Sequence, residues 1–288
     1  MLKYPEIDPV ALSLGSVTVF GKTINLPDIH WYGLMYLFGF ILCWAVGTYR
    51  AGKPHNVVHK SWLEDLVFYV AMGVVLGGRC GYVFFYNFGA FLDDPLWLFR
   101  VWEGGMSFHG GLLGVILAMM LYARKMQVRF LDLMDFVAPL VPIGLGLGRI
   151  GNFIGQELWG RVTTLPIGMV FPKDPGVARH PSQLYQAALE GLVLFAVLFW
   201  FSSKPRPRAA VASLFLILYG CFRFAVEFVR EPDAHIGFDM FGWLTRGQEL
   251  SLPMIIIGAL IFFYAYRHPA YAEKAPDPRA NGSKKVKV

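Results

Sequence analysis

The sequence predicts an all-α polytopic membrane protein of about seven transmembrane helices, with small strand and loop elements on the extracytoplasmic (periplasmic) side. Three observations predict it. Of 288 residues, 56% are hydrophobic and only 16% charged, where a soluble domain carries roughly 25% charged residues, and the mean hydropathy is +0.48. The apolar residues gather into runs of span length, about 20 residues each. The basic residues fall between those runs, as topology signals do.

The elements follow in chain order. Residues 1–30 read as an extracytoplasmic arm; "SLGSVTVFGKTINL" has strand-like content, and the start lacks the pattern of a cleaved signal peptide. Spans are expected at about 31–49, 66–86, 107–123, 133–149, 183–202, 210–228 and 250–266, together a transmembrane domain over 31–266. Three short connections are basic: Arg50, Lys53 and Lys60, then Arg124, Lys125 and Arg129, then Lys204, Arg206 and Arg208. Basic loops stay inside, which places the N-terminus outside and the C-terminus in the cytoplasm. Residues 155–182 form an extracytoplasmic insertion whose "RVTTLPIGMVFPKDPG" is strand-like and broken by Pro and Gly. Residues 267–288 are a basic cytoplasmic tail, either touching anionic lipid or a disordered end.

Charge and cysteine usage exclude other classes. The net charge of +6 lies in short clusters between apolar spans rather than along one face, which excludes nucleic acid as a partner. Cys43, Cys80 and Cys221 lie inside apolar runs without CxxC spacing, so they read as buried inert thiols. His55 and His59 have metal-pair spacing but sit in a basic loop without a glutamate base, and Ser107 beside His109 does not make a triad.

Several polar residues break the apolar pattern. Tyr32 opens the first span; Arg79, Tyr82 and Tyr86 close the second; His109 opens the third; Arg149, Asn152 and Glu157 close the fourth; Tyr219, Arg223, Glu227 and Arg230 close the sixth. With alternating span direction, all reach the outer half of the bilayer, where they can form one site. An arginine inside a span is costly and faces a bundle interior, a partner or water. Singly, each reads equally well as structural glue to a glutamate or as snorkelling to the interface. Together they suit an anion, since guanidinium forks match phosphate oxygens and keep their charge. Tyr219, Arg223 and Glu227 are spaced by four and make one helical stripe; an internal Arg223–Glu227 pair is the plain structural alternative. His109, followed by Gly110, Gly111 and Gly114 that permit close approach of backbone or ligand, is either an interfacial hydrogen bonder or a proton-transfer group.

"GRIGNFIGQELWGR" closely resembles the signature of the bacterial prolipoprotein diacylglyceryl transferase family, and "HWYGLMY", "SFHGGLLG", "HPSQLYQA", "YGCFRFAVEFVREPDA" and "GQELSLPM" are similar to its other blocks, in the same order, over about 28–266. One departure is visible: Gly155 stands where the family usually has Asn, followed here by Gln156. The resemblance implies a phosphatidylglycerol–prolipoprotein diacylglyceryl transferase reaction. The diacylglyceryl group of phosphatidylglycerol would pass to the lipobox cysteine thiol in a prolipoprotein signal peptide, giving a thioether and glycerol phosphate. It implies no cofactor, metal or nucleotide. By motif position it implies that Arg149 and Arg223 handle phosphate, that Asn152 and Glu157 orient the headgroup or the first arginine, and that Tyr32 contacts headgroup or substrate. His109, with Tyr219 as rival or co-worker, would assist thiol deprotonation, while Glu227 and Arg230 hold the charge network. Membrane lipids surround all of it. Two other readings stand beside it: an anionic-solute transporter whose Gly144, Gly146, Gly148 and Gly151 mark a broken helix, and a non-catalytic lipid-binding factor.

Overall fold

Long apolar runs become helices because in hydrocarbon only a helix or a closed barrel satisfies every backbone N–H and C=O internally. The computed structural model, which describes residues 1–20, 22–231 and 244–274, is built of such helices. They fall into two units, Met1–Val46 with Val137–Tyr271, and Gly47–Phe136 with the chain from Ala272.

In the first unit the N-terminal arm is a set of short strands. β1 (Leu2–Lys3), β2 (Val10–Leu12), β3 (Ser16–Val19), β4 (Lys22–Asn25) and β5 (Ile29–His30) lead into α1 (Trp31–Ala51). β2 pairs antiparallel with β5, and β3 with β4, so "SLGSVTVFGKTINL" forms the expected strands. β1 runs parallel to β6 (Met169–Val170), which pairs antiparallel with β7 (Ala178–Arg179); both lie in the insertion. Tyr4 anchors the arm in a small core with Phe153, Met169 and Phe171. Its hydroxyl donates to Phe153 O at 3.2 Å and Ile154 O at 3.0 Å, satisfying carbonyls left over at a helix C-terminus. Burial pushes the Tyr4 phenol above its ordinary pKa.

The helix those carbonyls close is α6 (Val141–Ile154), preceded by α5 (Phe130–Val137) in the second unit. The predicted span at 133–149 is thus two helices, and the second runs on to Ile154. Pro142, in the first turn of α6, explains the break, because proline lacks an N–H and disfavours helix before it. Next comes a continuous helix, Ser182–Phe201, made of α7 (Ser182–Gln186), a π-helical segment (Ala187–Val193) and α8 (Leu194–Phe201). Then follow α9 (Ala210–Glu227) and α10 (Arg246–Arg267). A Cβ added to Gly191 would lie 2.6 Å from Gly146 Cα, so α6 and the π segment touch backbone to backbone. Gly146 therefore serves helix packing, as small residues do in membranes.

The second unit holds α2 (Leu63–Tyr86), α3 (Phe88–Asp93) and α4 (Phe108–Lys125). Gly73, Gly77 and Gly81 of α2 face Gly110 and Gly114 of α4; a Cβ on Gly81 would lie 2.6 Å from Gly110 Cα. The close approach that Gly110 and Gly114 permit is to a neighbouring helix. Ser107 caps α4, its Oγ accepting from Gly110 N at 3.2 Å, a structural use of that hydroxyl.

Among the described residues five helices are long and apolar enough to cross a membrane, or six if α5 and α6 count as one broken span. The predicted span at 107–123 corresponds to α4, which opens beside His109 and ends on Arg124 and Lys125. Seven is therefore approximate, while the membrane-spanning helical class holds. The cysteines are a correction: Cys221 is exposed and Cys43 and Cys80 are half-buried. In an apolar helix bundle the outward face suits a small apolar thiol as well as the inward one does.

Gly77→Leu should lower the thermal midpoint in detergent, since its Cβ would sit 2.7 Å from Gly114 Cα and overpacking costs about 1–3 kcal/mol. An unchanged midpoint would show that α2 and α4 do not pack on this face.

Candidate active site

The sixth predicted span places its polar residues as the spacing requires. On α9, Tyr219, Arg223 and Glu227 lie one turn apart, and Arg230 follows within a further turn. Glu227 is 2% exposed and sits between two guanidiniums, with Arg223 Nη2 3.1 Å from its Oε2 and Arg230 Nη1 3.3 Å from its Oε1. The internal Arg223–Glu227 pair is thus present, yet Arg223 Nη1 is buried without a hydrogen-bond partner among the described residues.

Glu227 also meets a helix start. A Cβ on Gly247 would lie 2.7 Å from its Cδ and 2.8 Å from each carboxylate oxygen. Only glycine lets the first turn of α10 come so near, and that turn is closed by a capping box of Thr245 and Gln248. The positive end of the α10 dipole therefore faces the carboxylate.

α6 brings the second arginine. Arg149 Nη1 lies 3.4 Å from Asn152 Oδ1, and the charges of Glu190, Arg223 and Arg230 act on Arg149. Tyr32 of α1 lies against α6, where a Cβ on Gly151 would be 3.0 Å from its ring, and its hydroxyl is 3.1 Å from that of Tyr36. Tyr32 feels the charges of Glu157 and Arg149. Tyr219 stacks on Phe215 at 5.6 Å and lies in the field of Glu190, Arg223 and Arg149. One unit thus gathers Tyr32, Arg149, Asn152, Glu157, Tyr219, Arg223, Glu227 and Arg230.

The loop after α6 is tied to the end of α9. Arg161 N donates to Val229 O at 2.8 Å and Arg161 Nε to Arg230 O at 2.9 Å. Gly160 bridges Arg230 and donates to His180 O at 2.8 Å. Gln156 and Leu158 adopt left-handed φ of 53° and 56°, costly for residues that are not glycine. The turn is held in place by Lys173, whose N donates to Gln156 Oε1 at 3.0 Å and whose Nζ donates to Gly155 O at 2.7 Å. The Gly155–Gln156 departure is absorbed here, with the Gln156 amide serving the insertion. Arg179 pairs with Asp174 and, at 3.2 Å, with Glu231. Burial holds the His180 imidazole below its ordinary pKa.

Two predicted polar residues belong to the other unit. His109 stands exposed near the head of α4, its ring 5.6 Å from that of Phe108. Arg79 is 2% exposed and engaged within its own unit. It donates to Leu98 O at 3.0 Å, Trp97 O at 2.5 Å and Gly104 O at 2.6 Å, and its guanidinium lies 4.4 Å over the Trp97 ring. All three of its nitrogens are used by the chain, so Arg79 braces the connection between α3 and α4 instead of offering an anion site.

Among the buried polar residues that escaped the sequence reading are Gln183, Gln186 and Glu190, along the helix Ser182–Phe201. Their spacing of three and four in an apolar run was the available signal. The charges of Arg223, Arg149, Glu227 and Arg230 all act on Glu190.

Apolar helices of spanning length, with an arginine–carboxylate cluster buried near the ends of two of them, define a polytopic membrane protein with charged groups buried between its helices. The comparisons narrow this. The profile of the prolipoprotein diacylglyceryl transferase family matches residues 22–264. A Coxiella burnetii (strain RSA 331 / Henzerling II) protein is 57% identical over 268 residues, covering 93% of this chain and 99% of its own length. An Acinetobacter baylyi protein is 57% identical over 275 residues, covering 94% and 97%, and one from Acinetobacter baumannii (strain AYE) is 55% identical with the same coverage. All three bear the name phosphatidylglycerol–prolipoprotein diacylglyceryl transferase. The chain belongs to the prolipoprotein diacylglyceryl transferase family.

Arg79→Ala should cost stability, by about 2–4 kcal/mol for several charge-assisted bonds to carbonyls, read as a lower melting midpoint. Equal stability would mean that the 95–105 connection does not depend on it.

Proposed function

We propose that this chain transfers the diacylglyceryl group of phosphatidylglycerol to the lipobox cysteine of prolipoproteins, as the names of its relatives describe for them. The observation that carries the reading is the buried group of Arg223, Glu227 and Arg230, with Arg149 close enough for its charge to be felt. In the reaction the cysteine sulfur attacks the terminal glyceryl carbon of the lipid, and an S–C bond forms as the bond from that carbon to phosphate oxygen breaks. The departing glycerol phosphate takes the electron pair, and the thiol proton passes to a base.

Each step asks something of a named side chain. A thiol of pKa about 8.5 is only slightly ionised at neutral pH, so a nearby base or positive field speeds attack. His109 is the candidate for taking that proton, and Tyr219 the rival. Negative charge grows on the leaving phosphate as the carbon–oxygen bond breaks, and preorganised guanidiniums in a dry site stabilise charge most where it develops. Arg149 and Arg223 fill that role, the latter through Nη1. Glu227 and Arg230 hold Arg223 in place, and Asn152, Glu157 and Tyr32 orient the headgroup.

The site is proposed to open toward the outer leaflet of the cytoplasmic membrane, with the N-terminus outside and the C-terminus in the cytoplasm. The three basic connections support that orientation by the positive-inside rule. In that arrangement both the donor lipid and an exported lipobox reach the same surface, residues 1–30 and 155–182 lie outside, and residues 267–288 lie inside.

Single-turnover transfer from phosphatidylglycerol to a lipobox peptide by the purified protein is expected to survive a metal chelator. It should fall at least a hundredfold in Arg223→Ala, in line with loss of a donor to developing charge. Phosphatidylglycerol that binds without transfer would instead make this a lipid-binding factor. His109→Asn is expected to abolish turnover at neutral pH; near-normal turnover there, with loss in Tyr219→Phe, would move the base to Tyr219.

A further inference from the structure

The helix Ser182–Phe201 carries a buried polar ladder that the transfer mechanism does not use. Gln183 and Gln186 are each 1% exposed and Glu190 is 0% exposed. Spacings of three and four stack them along one side of the helix, and Glu190 lies within the π-helical segment Ala187–Val193, an irregularity frequent at functional sites. Gln183 Oε1, Gln186 Nε2 and both carboxylate oxygens of Glu190 have no hydrogen-bond partner among the described residues. Buried polar atoms are ordinarily paired, and each one left unmade is costly. Four such atoms on one helix, alternating acceptor, donor and acceptor, match a ligand whose groups both donate and accept.

The ladder joins the anion site at both ends. Gln183 Nε2 donates to Glu157 O at 2.6 Å, in the loop that follows Arg149 and Asn152. Glu190 feels the charges of Arg223, Arg149 and Arg230.

We infer that Gln183, Gln186 and Glu190 read the hydroxyl groups of the donor's polyol headgroup while the arginines hold its phosphodiester. The inference rests on the proposed reading of phosphatidylglycerol as donor and assigns the residues that select its headgroup. Of the headgroup's two hydroxyls, one donates to Glu190 and the other to Gln183 Oε1, and one of them accepts from Gln186 Nε2, which gives each of the three residues a partner. A hydroxyl suits this ladder better than an ammonium does, because an ammonium has donors only and leaves Gln186 Nε2 without an acceptor.

The test compares kcat/KM for phosphatidylglycerol, phosphatidylmethanol and phosphatidylethanolamine of matched acyl chains, presented in mixed micelles. Phosphatidylmethanol keeps the phosphodiester and lacks hydroxyls; phosphatidylethanolamine carries an ammonium. Wild-type protein is expected to prefer phosphatidylglycerol to phosphatidylmethanol by well over about tenfold, because a site built to bond a hydroxyl rejects the analogue lacking it, and to reject phosphatidylethanolamine. Glu190→Gln should shrink the phosphatidylglycerol to phosphatidylmethanol ratio at least about tenfold, and Gln186→Leu should shrink it independently if Glu190→Gln folds poorly. A ratio unchanged in folded variants, or wild-type protein that uses phosphatidylmethanol or phosphatidylethanolamine as well as phosphatidylglycerol, overturns the inference while leaving the transferase reading intact. Wild-type protein that transfers from none of the three overturns the transferase reading itself, and this inference with it.

Discussion

Glu227 is buried between two arginines in a bundle of apolar helices, and much of the first unit is arranged around keeping that carboxylate compensated. Removing one partner from such a group strands a charge where water cannot reach it, a loss of about 3–5 kcal/mol. The chain answers with Arg223 one turn before, Arg230 in the turn after, and the positive end of α10. Gly247 is the smallest possible residue at the contact, which lets that helix start reach the carboxylate. The arrangement sets the end of α9 and the beginning of α10 at once. Through the bonds of Arg161 to Val229 and Arg230, it also sets the loop that leaves α6.

Compensation is incomplete in a useful way. Arg223 gives one nitrogen to Glu227 and keeps Nη1 without a hydrogen-bond partner among the described residues, so the same pair that is structural glue also presents a donor. Structural and functional readings of a buried arginine are therefore not exclusive. Arg79 shows the other limit, with every nitrogen on a carbonyl and a tryptophan beneath it. The two arginines differ less in burial than in how much hydrogen-bonding capacity the chain itself consumes.

Glycine does the positioning that side chains cannot. In hydrocarbon, helices gain little from hiding apolar surface from one another, so close backbone contact matters more. Gly146 against Gly191 joins the helix of Arg149 to the helix of Glu190, and that contact falls within the π segment. The same device packs α2 on α4 through Gly77, Gly81, Gly110 and Gly114. The run of glycines in α6 thus has a packing explanation at Gly146 and at Gly151, which lies under the Tyr32 ring.

Much was legible from residues alone. Spans of apolar residues, strand-like pieces in the arm and insertion, and the stripe Tyr219–Arg223–Glu227 follow from composition and period, because hydrocarbon and helix geometry impose them locally. The family follows from motifs in order. Several things needed the tertiary structure: that Arg79 is consumed by carbonyls eighteen or more residues away in sequence, that Gly110 faces a helix, that Cys221 points outward, and that Gln156 takes a left-handed turn held by Lys173. Gln183, Gln186 and Glu190 were passed over because spacing names a shared face without saying what faces it. The sequence by itself determined which segments leave water and which groups resist leaving it. Only the tertiary structure decided which of those groups the chain satisfies internally, because partners for a buried charge come from elements far apart in sequence.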